Sequence, residues 1–347
     1  MKKILSIIQK IPKDLLIGLS IFLFINEFIH KHQNFSIDKE AQRVYIRNNT
    51  SFDDLCEMIQ NENLVSNIYT FKLSWYLTRR RGSIKPGSYI IKSNESNRSF
   101  INKITKGKQT PVSLRIPNID TIDQLAQYLS QRLMFSYQNF IDTINNEKIL
   151  QKYHIDINHL FNFFISDTYF VFWDITPEEL IHRIRIEYDR FWNDDRITKA
   201  KNINMSQHDI TTLASIVEKE SNNYEEKHMI AGVYINRLNK KMRLEADPTY
   251  IWALKYEYNN QSSEKMNQLK SLYNTYYSKG LPPQIITIPS SQSIDAVLNY
   301  KINEYLYFVI DPESSCLKFS KTYEEHCKHV RKYRRYKQSL KNKEQLT

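Results

Sequence analysis

Between Leu213 and Ser221 the chain reads LASIVEKES, and wound as a helix this segment puts a carboxylate into an apolar stripe. At about 100° per residue, Leu213, Ile216, Val217 and Glu220 share one face, whereas Ser215, Glu218 and Lys219 share the other. A carboxyl group among apolar neighbours loses hydration, which penalises its charged form and raises its pKa. An acid that still holds its proton near neutral pH is what general-acid catalysis needs. Glu220 therefore reads as a proton donor, and the competing reading is a buried acid paired with a base such as Arg237. Glu218, on the polar face, reads as solvated or paired with a neighbouring lysine.

Several elements must position that residue. Ser206 stands three residues before Asp209, the spacing of a capping box, and so starts the helix carrying Glu220. Glu225 to Leu238 is apolar nearly all round and predicts a buried helix. Turn-prone segments follow at Ala246 to Thr249, Tyr273 to Tyr276, Gly280 to Pro283 and Ile288 to Ser290, and Leu306 to Ile310 reads as a buried strand. Aromatic-rich loops around a helix make a cleft. Further upstream, Asp120 is placed to cap a helix with the face Ile122, Leu125, Ala126, Leu129 and Leu133, and Thr176-Pro177-Glu178-Glu179 starts another. Thr110 to Pro117 alternates as a strand does.

The N-terminal part alternates short elements. Arg43 to Ile46 is extended, Phe52, Leu55, Cys56 and Ile59 share a helical face, and Lys85-Pro86-Gly87-Ser88 turns into the β-rich Tyr89-Ile90-Ile91, ahead of a helical Phe100, Ile101, Ile104. The expected fold class is α+β: a small α+β module over 33–108, then a larger, mostly helical domain with short strands over 109–347. Ahead of both, Leu15 to Ile25 is an apolar run that Phe28 and Ile29 extend, with no small-residue cleavage site after it. Residues 15–32 read as an uncleaved transmembrane anchor. Lys2, Lys3, Lys10 and Lys13 precede it, which makes 1–14 a cytoplasmic tail and places the remainder on the outer face of the inner membrane.

Composition constrains less. The 347 residues include only 6 glycines, where average usage of about 7% would give several times more, and Ile, Asn, Lys and Tyr run high. Such drift produces lysines without selection for charge, so the net charge of +11 names no partner by itself. Three scattered cysteines, Cys56, Cys316 and Cys327, imply no disulfide framework. Cys316, His326, Cys327 and His329 are the right atoms for zinc at the wrong spacing, so no metal is expected. No phosphate-binding loop, dinucleotide fingerprint, zincin motif or nucleophile elbow occurs, no cofactor is implied, and no basic-aromatic motif points to nucleic acid. The basic tail from Lys328 to Lys343 reads as a solvated helix.

The strings IVEKES at 216–221, VYINRL at 233–238, MRLEADPT at 242–249, YNTY at 273–276, GLPP at 280–283 and YLYFV at 305–309 occur in the order and approximate spacing of the MltG (YceG-like) endolytic murein transglycosylases, which the chain resembles over nearly its whole length. KPGSY at 85–89 resembles that family's LysM-like module, and SDTY at 166–169 also matches. The resemblance implies cleavage of the MurNAc-GlcNAc β-1,4 bond in peptidoglycan glycan strands with formation of 1,6-anhydroMurNAc ends, without metal or cofactor. It makes Glu220 the catalytic acid, the residue the helical-face argument selects independently. It also offers Ser221, Asn236, Arg237, Glu245, Asp247, Tyr273 and Asn274 as substrate-binding or supporting residues, and peptidoglycan synthases as partners. Asn118, Ile119, Ser166 and the glycine-free stretch from Gln284 to Ser291 depart from the family pattern. The alternative to an enzyme is a catalytically inactive, membrane-tethered cell-wall binding or scaffold protein.

Overall fold

The computed structural model describes residues 12–31, 33–35, 40–78, 83–261, 265–314 and 316–344. They fall into two compact units: one runs to Leu114 and adds Arg132–Phe135 and Phe170–Thr176, and the other takes Arg115–Gln131, Ser136–Tyr169 and Pro177–Thr347. The dividing line thus falls a few residues beyond 108, and the first unit takes back two short stretches of later sequence.

In the first unit the order is α1 (Lys13–Lys31), β1 (Ala41–Ile46), α2 (Phe52–Asn61), α3 (Ile68–Leu77), β2 (Gly87–Lys92) and α4 (Asn97–Lys106). β1 and β2 pair antiparallel, Val44 opposite Tyr89 and Ile46 opposite Gly87. A two-stranded ribbon is unstable alone, and here α2, α3 and α4 cover it through a core of Val44, Ile46, Leu55, Ile59, Phe71, Tyr89 and Phe100. Ser51 and Asp54 close a capping box that fixes where α2 begins. Gly87 has φ +136°, a conformation strained for any side chain, and a Cβ there would run into Gln109. The turn into β2 requires that glycine.

Helix α1 forms over the stretch expected to be an anchor, and Leu15, Ile17, Leu19, Leu23, Phe24 and Phe28 are exposed along it. Among the described residues, however, no helix is long and apolar enough to cross a membrane. Charged residues stand at both ends of α1, Lys13 and Asp14 at its start and Glu27 paired with Lys31 at 2.8 Å at its finish. Of the four N-terminal lysines only Lys13 belongs to the described residues; Lys2, Lys3 and Lys10 lie outside them.

β3 (Val112–Arg115) carries the chain into the second unit, which is mostly helical. There follow α5 (Ile122–Ser130), α6 (Tyr137–Ile144), α7 (Glu147–Lys152), β4 (Thr168–Val171), α8 (Pro177–Phe191), α9 (Asp194–Asn202), α10 (Gln207–Glu220), α11 (Tyr224–Asn239), α12 (Asp247–Tyr256), α13 (Ser291–Leu298), β5 (Tyr307–Ile310), β6 (Leu317–Ser320) and α14 (Tyr323–Glu344). Helix α10 is central, touching α11, α12 and α13, and every residue from Ile210 to Val217 is buried. The capping box of Ser206 and Asp209 starts it.

Four local expectations fail for identifiable reasons. Ser215 lies inside rather than on a polar face: its hydroxyl donates to the Thr212 carbonyl at 2.7 Å and accepts the Ile286 N–H at 3.1 Å, so a buried helix surrounded by partners has no solvent side. Thr121, not Asp120, caps α5, and Asp120 pairs with Lys219 at 2.6 Å instead. Ala246 to Thr249 is the start of α12, with proline in its first turn, rather than a free turn. β5 is half-buried rather than buried; among the described residues it pairs with β6 in a two-stranded sheet.

Candidate active site

The site is built on a helical hairpin. Glu220 is the last residue of α10, and Ser221 and Asn223 organise the short turn into α11. The Ser221 hydroxyl accepts the Asn223 N–H at 3.0 Å and donates to Glu226 Oε2 at 2.7 Å. Asn223 caps α11 by accepting the N–H groups of Glu225 and Glu226. Folding α11 back along α10 brings Tyr234, three turns on and 2% exposed, against the carboxyl: its hydroxyl donates to Glu220 Oε1 at 2.6 Å.

Burial pushes the Glu220 pKa up to about 7; the Tyr234 hydrogen bond works against this, and the negative charge of Asp247 works with it. The carboxyl also sits at the C-terminal, partially negative end of its helix, where an anion is disfavoured. Glu218, two residues earlier, shows the opposite outcome. Burial alone would raise it, but the hydroxyls of Ser290 and Ser293, the Ser290 N–H and Lys227 hold its pKa below the usual value. Lys227 lies 3.2 Å from Glu218 Oε2. Glu218 is therefore an ionised structural anchor between α10, α11 and the start of α13, rather than a solvated residue. These two carboxyl groups, two positions apart, shift in opposite directions because Glu218 collects several donors whereas Glu220 accepts from Tyr234.

Glu220 opens onto a cleft of about 240 Å³. Tyr234, Asp247 and Tyr276 surround the carboxyl; Arg237, Leu244 and Glu245 form one wall; Tyr307 and Phe308 of β5, with Tyr323 and His326 of α14, form another. Tyr276 donates to Asp247 Oδ1 at 2.5 Å. Arg237, 6% exposed, donates from Nε to the Leu306 carbonyl at 2.6 Å, and from Nη1 to the carbonyls of Arg243 and Leu244 and to Glu245 Oε2 at 3.1, 2.9 and 3.1 Å. Its guanidinium lies 5.0 Å from the Tyr307 ring centre. The loop it grips carries Glu245 at φ +50°, a strained conformation for a residue with a side chain.

Of the residues singled out from sequence, Glu220, Arg237, Glu245 and Asp247 meet around this cleft. Ser221, Asn236, Tyr273 and Asn274 do not line it. Ser221 staples the α10–α11 turn. The Asn236 amide donates to the carbonyls of Asn303 and Tyr305, next to Gly232, where a Cβ would come within 2.5 Å of the Lys301 carbonyl. Tyr273 stacks on Trp252 with ring centres 4.1 Å apart, and the buried Asn274 ties its loop to the carbonyls of Met266 and Leu269. Arg237 is a loop clamp, its pairing with Glu245 at 3.1 Å, and it is not the partner of Glu220.

Tyr234, Tyr276, Tyr307, Phe308, Tyr323 and His326 are not among the residues that sequence reasoning offers as catalytic or substrate-binding, although His326 is weighed there as a zinc ligand. The signal for Tyr234 was available: a residue with a polar tip in an otherwise apolar helix must place its hydroxyl somewhere. For the wall from β5 and α14, about a hundred residues from Glu220, the family string YLYFV marks β5, and no local pattern ties either element to the acid.

Removing the Tyr234 hydroxyl tests its coupling to the acid. That bond lowers the Glu220 pKa, so Tyr234→Phe is expected to move the alkaline fall in activity to higher pH, measured as kcat/KM against pH. A fall at unchanged pH would show that the two groups are not coupled.

A model of the YceG-like family matches residues 44–332. The chain is 24% identical over 313 residues to the endolytic murein transglycosylase of Bacillus subtilis (strain 168), covering 85% of each. It is 27% identical over 278 residues to the endolytic murein transglycosylase of Streptococcus pneumoniae serotype 2 (strain D39 / NCTC 7466), covering 71% of this chain and spanning half of that protein's length. The crystal structure of a yceG-like protein from Listeria monocytogenes superposes with a TM-score of 0.55 at 27% identity, over 84% of this chain and 99% of that one.

Proposed function

The chain belongs to the YceG-like family, and from that membership and the Glu220 cleft we propose that it is an endolytic murein transglycosylase acting on peptidoglycan strands. The observation that carries the chemistry is the Glu220 carboxyl, raised to about 7 and facing a cleft whose other carboxyl groups, Glu245 and Asp247, are held by Arg237 and Tyr276.

A hydrolytic glycosidase needs two carboxyl groups, one as acid and one as nucleophile or base. Here the sugar supplies the nucleophile. Protonated Glu220 gives its proton to the departing GlcNAc oxygen as the bond to C1 of MurNAc breaks. The resulting carboxylate then takes the proton from the C6 hydroxyl, whose oxygen bonds to C1 and closes the 1,6-anhydro ring. Glu220 ends protonated again, so atoms and charge balance and no water is consumed. In this scheme Tyr234 fixes the carboxyl rotamer, while Arg237 holds Glu245 and the Tyr276 hydroxyl holds Asp247. Asp247, with its negative charge near Glu220, keeps the acid protonated and favours the cationic character that develops at C1.

The βααβ order of β1, α2, α3 and β2, with the two strands paired, supports a LysM-like reading of the first unit as a glycan-holding module. Helix α1, with its row of exposed apolar side chains and the lysines before it, supports a membrane tether with both units on the outer face. Such a tether would keep the enzyme beside nascent strands and the synthases that extrude them.

The experiment is incubation of the full chain with uncrosslinked glycan strands and mass spectrometry of the products. Anhydro ends are expected. Reducing ends would mean hydrolysis, and binding without cleavage would mean a cell-wall scaffold.

A further inference from the structure

The first turn of α14 brings a histidine into the cleft that neither the reaction scheme nor the helix-face argument uses. His326 lines the same cavity as Glu220, its ring stacked on Tyr307 at 5.2 Å and 22°. Its Nδ1 is buried and has no hydrogen-bond partner among the described residues. A buried N–H with no acceptor is costly, as is a buried charge. Both costs are lowest when the ring is neutral and its one proton sits on Nε2.

The surroundings push the same way. Burial, the Arg237 guanidinium and His329 all lower the His326 pKa, and only Glu245 opposes them. Tyr307 packs against one side of the ring, and Tyr323 lies on the same helix with ring centres 6.4 Å apart. His326 is thus a neutral donor.

Several of this cleft's other donors are already spent. Tyr234 and Tyr276 spend their hydroxyl protons on Glu220 and Asp247, and Arg237 spends Nε and Nη1 on the chain's own oxygens. Glu245 and Asp247 are acceptors, and the Glu220 proton is committed to the leaving group. An acetamido sugar presents a carbonyl oxygen that must be matched on desolvation.

We propose that His326 is a substrate-binding residue, donating from Nε2 to the carbonyl oxygen of an acetamido group on the glycan strand. This rests on the glycan-cleaving reading, and binding separates it from turnover. The full chain carrying Glu220→Gln is titrated with fully N-acetylated strands and with de-N-acetylated strands, with and without His326→Phe. The expected result is that His326→Phe weakens binding of N-acetylated strands about five- to tenfold, the value of one hydrogen bond, and leaves de-N-acetylated strands unchanged. His326→Gln, which keeps an N–H, is expected to recover part of the loss and serves if the phenylalanine variant does not fold. In the cleaving enzyme the same loss should enter KM rather than kcat.

Equal loss on both kinds of strand would make His326 a packing residue, and no loss on either would remove it from the binding site; both overturn the proposal. A wild-type chain that discriminates the strands through His326 yet forms no anhydro ends would leave this inference standing and sink the transglycosylase reading alone.

Discussion

Glu220→Gln is expected to lower the rate of anhydro-end formation by about a thousandfold to ten-thousandfold, because the same carboxyl both gives and takes a proton and glutamine does neither. Amide and carboxyl have nearly the same shape, so the Tyr234 hydrogen bond survives and the fold has no reason to change. The pH dependence follows from the raised pKa of about 7. The protonated form is the active one, so kcat/KM should be level below that pH and fall about tenfold per unit above it. An alkaline limb near 4.5 would mean that the acid is bathed in solvent, and the mechanism would fail.

The same shift acts on stability, and its sign gives an independent check. Below about pH 4.5 Glu220 is protonated in both folded and unfolded chains and contributes no pH dependence. Between about 4.5 and 7 the unfolded chain ionises while the folded one keeps its proton, so folding loses stability as pH rises, and the loss levels off above about 7. Glutamine carries no such penalty. Glu220→Gln is therefore expected to be more stable than wild type at pH 8, by about 3 kcal/mol, and not at pH 4. Urea denaturation at the two pH values reads the difference directly.

Arg237→Ala is expected to be the most damaging change to stability, by about 3–5 kcal/mol. The side chain is 6% exposed and carries three backbone carbonyls and the Glu245 carboxylate, all of which lose a charged donor when it goes. In a unit of this size that corresponds to a fall of about 10 °C in Tm. Arg237→Lys should rescue little, since a point-like ammonium cannot spread donors over both Leu306, just ahead of β5, and the 243–245 loop. Because that loop holds Glu245 in a strained conformation and leads into Asp247, activity should fall further than the folded fraction. A variant with wild-type Tm would show that the clamp is not needed.

Local patterning made much of this protein legible. The capping box at Ser206, the proline starting α8 and the glycine opening β2 fix element boundaries through a few adjacent atoms, so they can be read without a fold. The helical period alone separated Glu220 from Glu218. It did not foresee that Glu218 is also enclosed, because its enclosure comes from Ser290 and Ser293, more than seventy residues away.

What the sequence determined, then, was which acid stands in an apolar environment, together with the strings that carry the family resemblance. Only tertiary structure decided the protonation state and the company of that acid. Burial depth depends on what packs over a helix, and the Tyr234 hydroxyl, the Arg237 clamp and the α14 wall reach Glu220 through turns whose directions no local pattern encodes. For the same reason Ser221, Asn236, Tyr273 and Asn274, neighbours of the site along the chain or in its motifs, bond away from the cleft, whereas His326, remote in sequence, lines it.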